Sequence, residues 1–251
     1  MPTDYDKVQK PNEKSPQDGK KGQSHNDKER GLGGQKSPED KRDKTLTDFL
    51  ASAAQAAVVD FTSTYATPNR PPIRNQGNTP MCVAYSSGYD QSHMDRPEVG
   101  KYFDPWESKF FAQIGGTAAG AFMRNALDQR KNFGYPVQDV GLRGSHRIGA
   151  YYRVPATLND IRQALVTRPT NGGVLILGPW YHSWFHPLTS GKLPAPDYPV
   201  GGHAWWLIGW DDRYGLMGQN SWGLDYGKNG LFYLPYAFIP RMWEVWRTVD
   251  R

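Results

Sequence analysis

The chain has 251 residues, a formal net charge of +5 and 22% charged residues, which is enough material for one large domain or two modest ones. Its single cysteine, Cys82, excludes an intramolecular disulfide and fits a reducing compartment without requiring one. Because no stretch resembles the apolar segment of a signal peptide or a membrane span, we expect a cytoplasmic or otherwise non-secreted protein without a transmembrane segment.

Residues 1–45 differ from the rest of the chain in composition. They hold 11 Lys or Arg and 9 Asp or Glu, but only one Leu and one aromatic residue. Such a segment cannot bury enough apolar surface to offset its ordering entropy, which predicts a disordered charged tail. Acidic residues are interleaved with the lysines, so no basic stripe forms and we expect no nucleic-acid partner. The tail is predicted to act as a tether or to bind an unidentified partner.

The tail contains a glycine-rich stretch, "GLGG", at residues 31–34. It has no predicted strand before it and no apolar helix after it, so a phosphate-binding loop is not indicated. After the tail, a linker helix is predicted at residues 46–58 and the folded domain at residues 59–251.

Helices are predicted in the first half of the folded domain. A loop rich in Pro, Gly and Asn at 68–80 precedes a helix that would begin near Cys82, with Pro80 suited to its first turn. Further helices are predicted over 118–131 and 156–165, the latter with Thr157 and Asp160 at capping-box spacing.

Strands are predicted in the second half, where short apolar runs are bounded by Gly, Asp or Pro. These runs lie at residues 172–178, 203–210, 214–222 and 230–238. The order predicts an α+β fold of two lobes, a helical lobe at about 80–150 and a strand-rich, antiparallel, barrel-like lobe at about 151–251.

Residues suited to cysteine nucleophilic catalysis lie in both halves. A thiol nucleophile needs a base, a group that orients the base, and donors for the oxyanion. A turn at 211–215 between two antiparallel strands would bring His203 and Asn220 side by side. Gln76, in the loop before Cys82, could place its amide in front of the sulfur.

The same segments resemble the papain-like cysteine peptidases. "IRNQG" is similar to the family's oxyanion-hole loop, "GGHAWWLIGWDD" to its histidine strand, and "GQNSWGLDYGKNGLFYLPY" to its asparagine segment. The resemblance runs in order from about residue 59 to 236. It implies a two-lobed fold and a peptidase that acts on peptide or protein substrates without a metal or an organic cofactor.

The resemblance also implies roles for particular residues. Cys82 would be the nucleophile, His203 its base and later acid, Asn220 the residue that holds the imidazole, and Gln76 an oxyanion donor. The residues implied to bind substrate are Gly115, Gly116, Thr117, Ala204 and Trp222, the last also covering the His–Asn pair.

Two departures leave alternatives open. The family's disulfide cysteines are absent, and Thr79, Pro80 and Met81 replace its usual residues before the nucleophile. The unusual residues before Cys82 leave a catalytically silent binding or structural module as one alternative to an endopeptidase. The small excess of basic residues leaves a cell-wall peptide hydrolase with the same triad as another. His182 and His186 have a spacing that suits a metal pair on a helix, but they lack the accompanying Glu and a third ligand, so no metal site is predicted.

Overall fold

The structure, a computed structural model, describes residues 30–52, 61–139, 146–167 and 173–250. The helices are α1 Leu46–Ser52, α2 Cys82–Val99, α3 Glu107–Gln113, α4 Met123–Asn132 and α5 Leu158–Val166. None of these helices combines the length and the apolar character that crossing a membrane would require. Predictions for residues 1–29 and for the linker helix beyond residue 52 lie outside the described residues.

Nine strands occur in the described ranges. They are β1 Gly34–Gln35, β2 Thr64–Ala66, β3 Ala121–Phe122, β4 Ile148–Arg153, β5 Val174–Tyr181, β6 Pro199–Asp211, β7 Gly215–Gln219, β8 Leu231–Leu234 and β9 Glu244–Asp250. Seven of them form an antiparallel sheet in the order β4-β9-β5-β6-β7-β8, with β2 added along β6. The short strands β1 and β3 form a separate parallel pair.

The helix α2 lies against β6 of the sheet, and its small residues let other segments of the helical lobe approach it closely. Ser86, Ser87 and Gly88 are buried along it, and a Cβ at Gly88 would lie only 2.9 Å from the Tyr135 hydroxyl oxygen. Two apolar clusters fill the interior. One is built around α2 and the side chains of β5 and β6 that face it, and the other includes residues of α1, α5 and most of the buried tryptophans.

The predicted fold class is confirmed: a helical lobe and an antiparallel strand-rich lobe make up an α+β structure. The cap of α5 is also as predicted, since the Thr157 hydroxyl accepts a hydrogen bond from the Asp160 amide. The predicted helix over 118–131 begins too early. Gly120 has a φ of +101°, which a right-handed helix cannot contain, so α4 starts at Met123 after a turn and β3.

The prediction of disorder throughout residues 1–45 is wrong for residues 30–45. Gly31, Gly33 and Ser37 are buried, and β1 lies within this segment. The composition argument failed because this stretch does not need apolar side chains of its own. Its main chain lies in a cleft of the folded domain and hydrogen-bonds to both walls. We call residues 30–37 the strap.

Candidate active site

Cys82 is the first residue of α2 and is fully buried. Burial raises the pKa of its thiol to about 11, because a thiolate would be poorly solvated there. Hydrogen bonds from the backbones of Ala204, Gly33 and Val83 act in the opposite direction. The sulfur therefore lies beside strand β6 and beneath the strap, in its neutral form at neutral pH.

His203 and Asn220 lie side by side, as the predicted hairpin requires. Asp211 pairs with Gly215 at the turn between β6 and β7, and His203 Nε2 is 2.7 Å from Asn220 Oδ1. Burial lowers the pKa of His203 to about 4, against the effect of the Asn220 hydrogen bond. Its other ring nitrogen, Nδ1, is buried with no hydrogen-bond partner among the described residues.

Aromatic rings enclose the histidine. The Trp222 ring stacks on His203 with 4.4 Å between centroids and 25° between planes, and Trp180 meets His203 edge-on at 4.8 Å. Trp180 and Trp222 are themselves perpendicular at 5.1 Å. The rings keep water away from the His203–Asn220 hydrogen bond, which strengthens it and fixes the imidazole orientation.

Gln76 reaches the same site from the loop before α2. Its Nε2 lies 2.7 Å from the Thr79 carbonyl oxygen and 3.1 Å from that of Gly31. The Ser221 hydroxyl donates to Gln76 Oε1 at 2.5 Å, which turns the amide so that its N–H groups face the cleft. Sequence reasoning missed this role of Ser221, and its place next to Asn220 is the one signal that could have suggested it.

The strap crosses the cleft and covers the thiol. The Gly31 carbonyl oxygen also accepts from Trp222 Nε1 at 3.2 Å. The Gly33 amide donates to the Gly202 carbonyl oxygen at 3.0 Å, and its own carbonyl oxygen accepts from the Ala121 amide at 2.9 Å. The strap is therefore held by main-chain hydrogen bonds to both lobes.

Side chains hold the strap at each end. The Arg30 guanidinium lies over the rings of Trp222 and Tyr226, at 5.9 and 5.2 Å from their centroids. At the other end, the Ser37 amide donates to the carboxylate of buried Glu244. A hydrogen bond to a buried carboxylate is strong and directional, so it fixes the position of Ser37 along the cleft.

The residues predicted to bind substrate are divided by the structure. Ala204 lies beside the thiol and Trp222 stacks on His203, whereas Gly115, Gly116 and Thr117 follow the end of α3 and make no backbone hydrogen bond with the described residues of the strap. The strap instead passes Gly120 and Ala121, the next turn along the chain. The glycine pair at 115–116 was predicted from the resemblance to papain-like cysteine peptidases. In the structure, the main chain of Gly33 closely approaches Gly120 instead.

No protein-family model matches the sequence, and no curated protein matches it. Solved structures do match. Xylellain, a cysteine protease from Xylella fastidiosa, is similar with 18% identity over 89% of this chain and 97% of that one, with a TM-score of 0.69. A procathepsin B from Trypanosoma congolense gives 14% identity over 77% and 79%, with a TM-score of 0.61. The bromelain protease from Ananas comosus gives 13% identity over 76% and 100%, with a TM-score of 0.60.

This chain has a papain-like fold. The fold predicted from the order of its sequence motifs is thus confirmed. Cys82 begins α2 and His203 lies in β6, and the hydrogen bond from the Ala204 backbone to the thiol joins the two elements at this point.

Proposed function

We propose that this protein is a cysteine-type endopeptidase that is latent while the strap covers Cys82. The observation that carries the proposal is the His203–Asn220 hydrogen bond beneath Trp222, next to a cysteine at the start of a helix. Fold likeness to cysteine proteases supports the same reaction class. In the covered state the pKa shifts leave both the thiol and the imidazole neutral.

Departure of the strap would let water reach the site and remove most of the burial that disfavours both charges. The Cys82 proton then moves to His203 Nδ1, and the thiolate is favoured by the imidazolium and by the start of α2. The sulfur attacks the peptide carbonyl carbon, and the oxyanion is held by Gln76 Nε2 and the Cys82 amide. The C–N bond breaks as the imidazolium protonates the amine, and water then hydrolyses the thioester.

The full chain with Gly33→Ala tests the proposal. A Cβ at Gly33 would lie 2.3 Å from the Pro80 carbonyl oxygen, so the strap cannot seat unchanged. We expect Gly33→Ala to cleave a mixed peptide library and Gly33→Ala/Cys82→Ala to be inactive. Equal cleavage by both variants would refute the proposal.

Two other outcomes would identify the alternatives. A reactive thiol without cleavage would identify a binding module. Loss of peptidoglycan turbidity with no cleavage of the library or of casein would identify a cell-wall hydrolase.

A further inference from the structure

Three of the eight residues of the strap are glycines: Gly31, Gly33 and Gly34. None of them has a positive φ. Their backbone conformations are therefore open to any residue type, and the requirement for glycine must come from the space around them.

On one side, that space is closed by main-chain atoms of the loop before α2. A Cβ at Gly31 would lie 2.0 Å from the Thr79 carbonyl oxygen, and one at Gly33 would lie 2.3 Å from that of Pro80. Real Cβ contacts below 3.0 Å are essentially never seen. A carbonyl oxygen cannot rotate away as the end of a side chain can, so the loop itself would have to move.

On the opposite side, the wall is formed by strands β5 and β6. A Cβ at Gly34 would lie 2.2 Å from Leu177 Cδ1 and 3.1 Å from the His203 amide nitrogen. Conversely, a Cβ at Gly202 would lie 1.9 Å from the Gly34 carbonyl oxygen. The cleft is thus about one main chain thick where it passes the candidate catalytic residues.

One side chain between the glycines does find room. Leu32 is partly buried and packs against the tryptophan-containing cluster, and a Cβ at Gly201 would lie 3.0 Å from its Cδ1. The strap therefore presents an apolar side chain to β6 and bare main chain to the loop before Cys82.

This slot is also where a reacting peptide must lie. His203 Nδ1 is fully buried and unpartnered among the described residues, and it is the ring atom not used by Asn220. The Gly31 carbonyl oxygen occupies the Gln76 amide that would serve an oxyanion. The strap and a substrate thus compete for the same groups.

We propose that the cleft over Cys82 is a glycine-selective slot, which takes substrate segments that have glycine where their main chain passes the Thr79 and Pro80 carbonyl groups and strand β6. The proposal rests on the endopeptidase function given above and names its substrate class. The specificity-determining residues are Thr79 and Pro80, whose carbonyl oxygens form the narrow wall. Gln76 Nε2 holds the Thr79 carbonyl at 2.7 Å, and the proline ring restricts the loop further.

The first test reads the reactivity of the thiol and needs no turnover. In the full chain, iodoacetamide alkylation of Cys82 is followed by intact mass for the native sequence, Gly33→Ala and Lys36→Ala. Lys36 is an exposed residue of the strap and serves as the matched control. We expect at least a tenfold faster reaction for Gly33→Ala and less than a twofold change for Lys36→Ala. An unchanged rate for Gly33→Ala would show that the slot accommodates a methyl group.

The second test supplies the strap sequence that fills the cleft as a separate peptide. The probe is the blocked hexapeptide Arg-Gly-Leu-Gly-Gly-Gln, which repeats residues 30–35, added to full-chain Gly33→Ala during alkylation. We expect it to protect Cys82, and we expect the same peptide with Ala in place of its second Gly to need at least tenfold more for equal protection. Replacing its final Gln by Ala should change protection less than twofold. Equal protection by the Ala-for-Gly peptide would overturn the proposal.

Protection is measured whether or not a peptide is cleaved, so the two proposals can fail separately. Glycine-dependent protection without cleavage of any library peptide would refute the endopeptidase and leave a glycine-selective binding cleft. Cleavage of library peptides with no preference for glycine would refute the slot and leave the endopeptidase.

Discussion

Two sets of buried ionisable side chains differ in charge: one contains an ion pair, and the other is neutral. Within the helical lobe and its contact with the sheet, Asp90 and Arg130 form a fully buried ion pair at 2.8 Å. Arg247 is also fully buried; burial lowers its pKa to about 10, and Asp90 acts in the opposite direction. At the cleft, burial pushes Cys82 and His203 towards their neutral forms, and no ion pair with them occurs among the described residues.

The difference between the sets lies in their partners rather than in their depth. A buried charge is tolerated when opposite charges and hydrogen bonds replace its hydration. Asp90 receives such support from Arg130 and from the Thr248 hydroxyl at 2.7 Å. The partners of the thiol are backbone amides and that of the imidazole is the neutral Asn220 side chain, and the strap excludes the water that would help both groups to ionise. The charges of the first set are therefore compensated within the fold, whereas the second set would ionise only if water reached it.

Removing the carboxylate from the charged set should have the largest effect. Asp90→Ala leaves two buried guanidinium groups without their shared counter-charge, which is expected to cost about 3–5 kcal/mol of unfolding free energy in urea titration. The control is Lys101→Ala, which removes the exposed Lys101–Asp139 pair at 2.9 Å and should cost less than about 1 kcal/mol. Similar losses for both variants would contradict the comparison.

The neutral state of His203 should make the free energy of unfolding depend on pH. The folded pKa of His203, about 4, lies below the ordinary value of 6.5, so the unfolded chain binds the proton first as pH falls. Neutral His203 therefore contributes to the free energy of unfolding in full above pH 6.5. This contribution is lost as the pH falls from 6.5 to 4, which lowers the free energy of unfolding by about 3 kcal/mol. His203→Gln does not titrate there. Urea unfolding at pH 7 and pH 4 should therefore show the native sequence losing that much more than the variant; parallel losses would contradict the assignment.

A smaller effect is expected from the residue that orients Gln76. Ser221→Ala, in the Gly33→Ala background, frees the Gln76 amide to turn and should lower kcat about tenfold while KM changes less than about twofold. Ser183→Ala, which removes an exposed hydroxyl bonded to the Ala195 carbonyl, is the matched control. A purely structural role for Ser221 would lower the melting temperature but leave kcat unchanged.

The smallest effect should come from the outer end of the strap. Arg30→Ala removes the cation–π contacts with Trp222 and Tyr226, and the alkylation rate of Cys82 should rise about threefold. Lys36→Ala again provides the baseline. A rise as large as that of Gly33→Ala would mean that side-chain contacts, rather than the glycine main chain, hold the strap.

The sequence predicted those parts of the site that depend on local pattern. A loop rich in Pro and Gly followed by small and apolar residues predicts a helix start at Cys82, and alternating strands around a turn bring His203 near Asn220. These features follow from chain connectivity and from the period of apolar residues. The two-lobed fold follows from the same patterns.

The strap could not be predicted in this way. Its charged composition indicates disorder, and its stability comes from hydrogen bonds between its main chain and residues such as Gly202 and Ala121 that are distant in sequence. From the sequence alone its glycines indicate a turn or a flexible loop. The steric need for them follows only from the positions of the Thr79 and Pro80 carbonyl groups. The turn at Gly120, which the main chain of Gly33 approaches, was missed for a related reason, since the helical pattern of α4 extends beyond the residues that are helical.

The short helix α1 has a consequence for how firmly the cleft is covered. Leu46 and Phe49 anchor it in the core, and Asp43, just before it, is ion-paired to Arg124. The strap is thereby tethered a few residues from its binding site, where its effective concentration is of the order of millimolar. A strap whose intrinsic Kd is well below that concentration would then keep the cleft filled at any dilution of the protein. A single chain break between Ser37 and Asp43 would turn it into an ordinary ligand, which is lost as the protein is diluted.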